Sequence, residues 1–355
     1  MLASHAMGFL FPFYFNQLVG IYGVTASFGV EIFFVLSGFL IGQLIVKEVL
    51  TPPSWRGLSR FWVRRWFRTL PPYYLVLGLR TLLGHPLHWR FLVFLQNFDH
   101  KAMASFPVSW SLSIEEWFYL LAPFLLLLAA LAAGRASPSP KAFFGTCAAI
   151  AVVTLIARVI AVLKWNIQPR DHIFLRMDTM MIGVMLGGLR AYDRARYGRL
   201  VRHRRVLFAA GLAGILAMGA FLYAQIWRGT VNESLWMRTL FFDPLSLSIG
   251  LWLLALESSR RVNLVWASRR WAAPIRFVSL TSYSMYLIHL SAFEPFWRLN
   301  DATRGVAQSL LWMACALAVS TLLAGGMYRF FEVPVLRLRD RMTGPTVIER
   351  APAPA

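Results

Sequence analysis

The sequence is poor in charge and poorer still in acid. Of 355 residues only 15% are charged, and Asp plus Glu number 16 against 36 Lys plus Arg; an ordinary soluble domain is about 25% charged. With 58% of residues hydrophobic and a mean hydropathy of +0.56, that scarcity excludes a typical soluble globular domain and makes lipid the expected solvent for most of the chain. Cysteine is nearly absent. Cys147 and Cys315 each sit in an apolar stretch, which argues against a disulfide framework or a thiolate metal site and leaves both as packing residues. The start Met1-Leu2-Ala3-Ser4-His5 lacks the basic region, apolar core and cleavage site of a secretory signal, so no removed leader is expected. Gly-x-Ser-x-Gly, Gly-x-x-x-x-Gly-Lys-Ser/Thr and Gly-x-Gly-x-x-Gly are missing, which argues against serine-hydrolase chemistry and direct use of ATP. His85, His88, His100, His172 and His203 show no ligand spacing, and no metal is expected.

What is present is a succession of apolar runs. Those fit to cross about 30 Å of hydrocarbon fall near 28–47, 69–84, 113–134, 143–164, 173–190, 206–227, 239–257, 276–293 and 307–331. They predict an all-α fold, a polytopic transmembrane helix bundle. The blocks 6–24 and 88–98 are weaker. Arginines cluster in 51–68, 190–205 and 260–276 and at Arg337, Arg339 and Arg341. With all of them cytoplasmic the strong spans alternate consistently, provided 88–98 is interfacial or re-entrant. The basic excess is thus a topological signal, and no nucleic-acid partner is expected. Residues 1–341 read as one membrane domain and 342–355, mostly Pro and Ala, as a disordered cytoplasmic tail.

Ionisable groups inside spans are costly unless they face a cavity or a partner. Glu31, Glu115, Glu116, Arg158, Arg176, Asp178, Asp243 and His289 fall at external span ends, joined by His5 if the chain start folds back. Together they can line one polar cavity. Arg176 and Asp178, two apart, project about 200° from each other on a helix and need separate partners. Arg158 is near enough in depth to pair with Asp178 or Glu115. Two readings stand: structural ion pairs, or substrate binding by Glu31, Arg176 and Asp178. In Trp62-Val63-Arg64-Arg65-Trp66-Phe67-Arg68, Arg65 and Arg68 share a helix face between interfacial tryptophans. That pair is either a topology and lipid-headgroup signal or a two-guanidinium clamp for a polyanionic cofactor arriving from the cytoplasm. Ser37-Gly38, and Gly183 with Gly187, read as small-residue contacts between helices.

Three blocks, Gly29-Val30-Glu31-Ile32-Phe33-Phe34-Val35-Leu36-Ser37-Gly38-Phe39-Leu40-Ile41, Arg65-x-x-Arg68 and Ser109-Trp110-Ser111-Leu112-Ser113-Ile114-Glu115-Glu116-Trp117-Phe118-Tyr119-Leu120, resemble the acyltransferase-3 family of bacterial membrane O-acyltransferases. Arg176-Met177-Asp178, Ser282-Tyr283-Ser284-Met285-Tyr286-Leu287-Ile288-His289 and Tyr328-Arg329-Phe330-Phe331-Glu332-Val333-Pro334 continue the resemblance in order. It implies about ten membrane helices in the bacterial cytoplasmic membrane and both termini in the cytoplasm. It also implies transfer of an acyl group, usually acetyl, from cytoplasmic acyl-CoA to a hydroxyl of an extracytoplasmic or lipid-linked carbohydrate. The family places a histidine at the end of its first helix, about three turns after a basic residue; His5 matches the histidine and the basic position falls before Met1, so the first helix is expected to be truncated.

Acyl transfer to an alcohol needs a base, and imidazole suits it near neutral pH. On the resemblance His5 is the candidate base, with Glu115 as its carboxylate orienter. Arg65 and Arg68 are candidates to hold the phosphates of acyl-CoA. His289 is a candidate for acceptor binding, with helix capping and catalysis as its other readings. A transporter or flippase of a glycan or acyl substrate, and an inactive truncated relative, are the rival classes. The Gly/Pro-broken, repeated halves of a transporter are not evident in the sequence.

Overall fold

The computed structural model describes residues 1–134, 139–259 and 269–344. Its elements are helices joined by short connections, with no strand among the described residues, so the all-α expectation holds. The chain begins with a short helix, α1 (Leu2–Ala6), turns through Met7–Leu10 and reverses into α2 (Phe11–Leu44). Only Tyr14 is non-helical within α2, so the strong block 28–47 and much of the weak block 6–24 belong to one rod. α1 lies antiparallel along it. Met1 packs at Gly29, Ser4 Oγ donates to Thr25 Oγ1 at 3.0 Å, and His5 meets Tyr22.

A π turn (Ile45–Val49) ends α2, and Ser54 caps the next helix, α3 (Trp55–Leu82), its Oγ accepting from Gly57 N at 3.0 Å. α3 starts well before the expected 69–84 because the arginine cluster is itself helical and Pro71-Pro72 is accommodated inside the helix. The segment 88–98 forms only tight turns, Trp89–Val93 and Gln96–Phe98, before the short α4 (His100–Ser105). None is long enough to cross a bilayer. There follow α5 (Ser109–Ala132), α6 (Pro140–Trp165), α7 (Met177–Tyr192), α8 (Arg194–Arg202), α9 (Arg204–Arg228), α10 (Leu235–Thr239) and α11 (Phe242–Glu257). The described chain closes with α12 (Arg269–Leu299), α13 (Val306–Met327), a second π turn (Tyr328–Glu332) and α14 (Val333–Thr343).

Among the described residues five stretches are both long and apolar enough to cross a membrane: Leu2–Val49, Ser109–Ala132, Pro140–Trp165, Arg204–Arg228 and Val306–Thr343. The other expected spans differ for a physical reason. α7 and α11 have 16 residues each, about 24 Å. α3 and α12 carry polar side chains that face an internal cavity instead of lipid.

α2 and α7 cross with their backbones in close approach. A Cβ on Gly38 would lie 2.2 Å from the Met180 carbonyl oxygen and one on Gly187 2.1 Å from that of Phe39. Only glycine permits that approach, as the small-residue pattern predicts. Lys47, Arg65, Arg190 and Arg194 line one cavity, and α14 returns to α3, where Arg64 Nη1 donates to Thr343 Oγ1 at 3.0 Å. The described basic segments therefore gather at one end of the bundle. Residues 260–268 of the third arginine cluster and 345–355 of the expected tail lie outside the described residues.

Candidate active site

A cavity of about 1340 Å³ runs along α2 from Gly29, beside Met1, to Lys47. That stretch of helix rises about 27 Å at 1.5 Å per residue, close to the thickness of a bilayer's hydrocarbon. Its basic end holds Lys47, Arg190 and Arg194, and Arg65 and Arg68 of α3 point into it together. Their three-residue spacing puts both on one face of α3. The opposite wall supplies hydroxyls: Ser111 lies 2.5 Å from the Tyr286 hydroxyl, which donates to the Val108 carbonyl at 2.7 Å.

Arg65 is the most tightly framed of the cations. Its guanidinium carbon stands 4.7 Å from the centroid of the Tyr119 ring, and Glu115 lines the same cavity. Its Nε is buried without a hydrogen-bond partner among the described residues. Tyr119 is held in turn by Ser37, whose Oγ lies 2.5 Å from the tyrosine hydroxyl and donates to Glu115 Oε1 at 3.1 Å. Ser37 is therefore more than a spacer beside Gly38. No sequence pattern pointed to the Ser37–Tyr119–Glu115 group, because it joins α2 to α5 through tertiary contact.

Glu115 belongs to this group and not to the histidine end. His5 is bonded through Nδ1 to the Tyr22 hydroxyl at 3.2 Å, and Tyr22 lies about 22 Å along α2 from Ser37. The expectation that Glu115 orients His5 is corrected on that distance. The neighbour of His5 is instead His289, ring centroids 5.1 Å apart. His289 is 0% exposed; its Nδ1 faces the carbonyls of Tyr286 at 2.8 Å and Met285 at 3.1 Å. The cavity wall reaches Met1 and Tyr286, one helical turn short of His5 and His289 respectively.

Glu31, Arg176 and Asp178 stand outside the cavity wall, and each is held in an ion pair. Arg176 binds Glu31 through an ion pair and stacks on Phe242, 3.5 Å from the ring centroid. Arg158 joins Asp178 at 2.6 Å and also Asp243, and not Glu115. Arg176 and Asp178 thus take separate partners, as expected, although Arg176 precedes α7 with φ −133° and ψ 13°, so its direction is set by the turn and not by a helical step. All four of Glu31, Arg158, Arg176 and Asp178 are buried, which supports the structural ion-pair reading over substrate contact.

The chain is thus of the class of multi-pass helical bundles, with a cavity that runs from a basic end to within one helical turn of a pair of imidazoles. The chain belongs to the acyltransferase-3 family, matching its acyltransferase domain over residues 1–329. It is similar to the peptidoglycan O-acetyltransferase OatA of Listeria monocytogenes serovar 1/2a, 24% identical over 335 residues that cover 86% of this chain and 51% of that protein. A putative peptidoglycan O-acetyltransferase of Bacillus subtilis strain 168, YrhL, is 24% identical over 335 residues, 86% of this chain and 50% of that protein. A putative O-acetyltransferase of Staphylococcus aureus strain COL is 24% identical over 341 residues, 88% and 53% of the two chains. The chain spans about half the length of these relatives. No solved structure matches it.

Proposed function

We propose that this chain is the membrane-embedded acyl-transferring unit of a bacterial O-acetyltransferase. It takes acetyl from cytoplasmic acetyl-CoA and delivers it to a carbohydrate hydroxyl on the far side of the cytoplasmic membrane, directly or on a lipid-linked precursor. Peptidoglycan is the acceptor that the relatives' names favour. The observation that carries the reading is the cavity, whose basic end holds Arg65 and Arg68 and whose other end stops one turn from His5. In this reading the basic end and the chain's C-terminus face the cytoplasm, and the two guanidinium forks hold the donor's phosphates. The pantetheine arm then runs along the apolar α2 stripe of Phe33, Leu36 and Leu40, past the Ser111–Tyr286 hydroxyls.

His5 takes the hydroxyl proton as the oxygen attacks the thioester carbonyl. The new C–O ester bond forms, the C–S bond breaks, and the proton passes to the departing thiolate, so no net proton is consumed. Glu31 and Arg176 contribute by holding α2 against the start of α7, and Asp178 by holding α7 to α6 through Arg158. The test is to supply radiolabelled acetyl-CoA to membranes containing the chain and to ask which fraction gains alkali-labile label. Label in the peptidoglycan or glycolipid fraction is expected. Donor binding with no labelled ester in any fraction would instead favour a transporter.

A further inference from the structure

We propose that His289 is a positioning residue for the base His5, its Nε2 the acceptor for the N–H that His5 gains once it has taken the proton of the acceptor hydroxyl. The inference rests on the acyltransferase reading above and adds to it an atom that reading leaves idle. His289 sits on α12, three residues after Tyr286, so its side chain continues the face that lines the cavity. Its Nδ1 faces two backbone carbonyls, at 2.8 and 3.1 Å. Carbonyls only accept, so the imidazole proton resides on Nδ1 and Nε2 carries a lone pair. That Nε2 is buried with no hydrogen-bond partner among the described residues, in a residue 0% exposed. A buried polar atom left unmatched calls for an explanation.

The explanation lies across a gap of one ring. His5 stands with its centroid 5.1 Å away, and its Nδ1 is taken by the Tyr22 hydroxyl at 3.2 Å. With the His5 proton on Nδ1, donated to Tyr22, the remaining nitrogen of each histidine is an acceptor and no hydrogen bond joins the rings at rest. Two acceptor nitrogens beside each other suit a donor, and an alcohol O–H is one. When the hydroxyl oxygen attacks the thioester, its proton moves to His5 Nε2. The imidazolium formed then has both N–H groups matched, Nδ1–H to Tyr22 and Nε2–H to His289 Nε2. A positive charge arising inside a buried site is costly without such partners, and an acceptor placed for it in advance stabilises the transition state more than the ground state. The thiolate sulfur finally takes the proton, leaving both rings neutral.

The test uses the full chain in lipid nanodiscs with radiolabelled acetyl-CoA and purified peptidoglycan. His289→Asn keeps an amide N–H where Nδ1–H stood and removes the Nε2 lone pair. His289→Gln places an amide near the Nε2 position that accepts a hydrogen bond and does not hold a proton. His289→Asn is expected to lower kcat about 10- to 100-fold, the value of one charge-assisted hydrogen bond, with the KM for acetyl-CoA unchanged, and His289→Gln is expected to recover part of that loss. Ester formation within about threefold of wild type in folded His289→Asn, or a folded His289→Gln no faster than His289→Asn, overturns the proposal while the acyltransferase reading stands. If wild type binds acetyl-CoA and forms no ester, that reading falls and the proposal falls with it.

Discussion

Arg65 of α3 lies face-on to Tyr119 of α5, guanidinium carbon to ring centroid 4.7 Å, while the tyrosine's hydroxyl is engaged by Ser37 of α2 at 2.5 Å. Three helices thereby fix the plane of one arginine at the cavity wall. A planar fork held by a ring is pre-organised for a phosphate in a way that a flexible ammonium is not.

Arg65→Ala is therefore expected to weaken acetyl-CoA binding by about 10- to 100-fold, the value of charge-assisted hydrogen bonds. The acceptor's affinity should hold. Arg65→Lys should recover only part of the loss, because a point charge cannot bridge two phosphate oxygens with a fixed fork. Equilibrium binding of labelled acetyl-CoA to the solubilised protein checks this, and equal affinity of wild type and Arg65→Ala rejects it.

Tyr119→Phe separates the two things that Tyr119 does. The ring beneath Arg65 remains while the bond to Ser37 is lost, so donor affinity is expected to stay within about threefold of wild type. Tyr119→Leu removes the ring, and the cation–π contact of about 0.5–2 kcal/mol should appear as a several-fold weaker Kd. The same binding measurement serves, and the order of the two variants is the result that matters.

The parts of this site that lie within one helix were legible in the sequence. Arg65 and Arg68 share a face of α3 because a three-residue step on a helix does so wherever the helix sits. The small residues at 38, 183 and 187 were legible too, since close helix approach leaves few alternatives to glycine. The split between Arg176 and Asp178 was expected from a helical step, yet Arg176 lies in the turn before α7, so the agreement does not come from periodicity. Depth was not legible. Glu115 reads as an external carboxylate only while the ends of α2 and α5 are unknown; in the folded chain it meets Ser37 and lines the cavity that Arg65 also lines. His289 and His5 come together from opposite ends of the chain, and periodicity within one helix carries no information about such a meeting. The polar lengths of α3 and α12 escaped for the same reason: a hydropathy reading assigns every face to lipid, whereas these helices turn theirs to a cavity.

Arg176→Ala leaves Glu31 buried without its partner, and Glu31→Gln leaves the arginine so. Removing one member of a buried pair costs about 3–5 kcal/mol, so both variants should lose much of their thermal stability in detergent. Acetyl-CoA affinity of the remaining folded fraction should be unchanged, because neither residue lines the cavity. A variant that melts like wild type yet fails to bind or transfer would return these residues to substrate recognition.

Gly38→Ala and Gly183→Ala test the crossing on which the cavity's α2 wall depends. Each new methyl would meet backbone, 2.2 Å from the Met180 oxygen in one case and 2.3 Å from the Val35 oxygen in the other. Backbone atoms of packed helices cannot rotate away as a side chain does, so α2 and α7 must separate. Overpacking of this kind typically costs about 1–3 kcal/mol. It should appear as a lower melting temperature in both variants and as a smaller loss in Gly78→Ala, where nothing lies within 4 Å of the added methyl. Because α2 carries Ser37 and the apolar stripe of the cavity, the separation should also weaken acetyl-CoA binding, whereas Gly78→Ala should bind normally. Equal melting of all three variants would show that the α2–α7 contact yields without cost, and the close approach of these helices would then have no part in shaping the cavity.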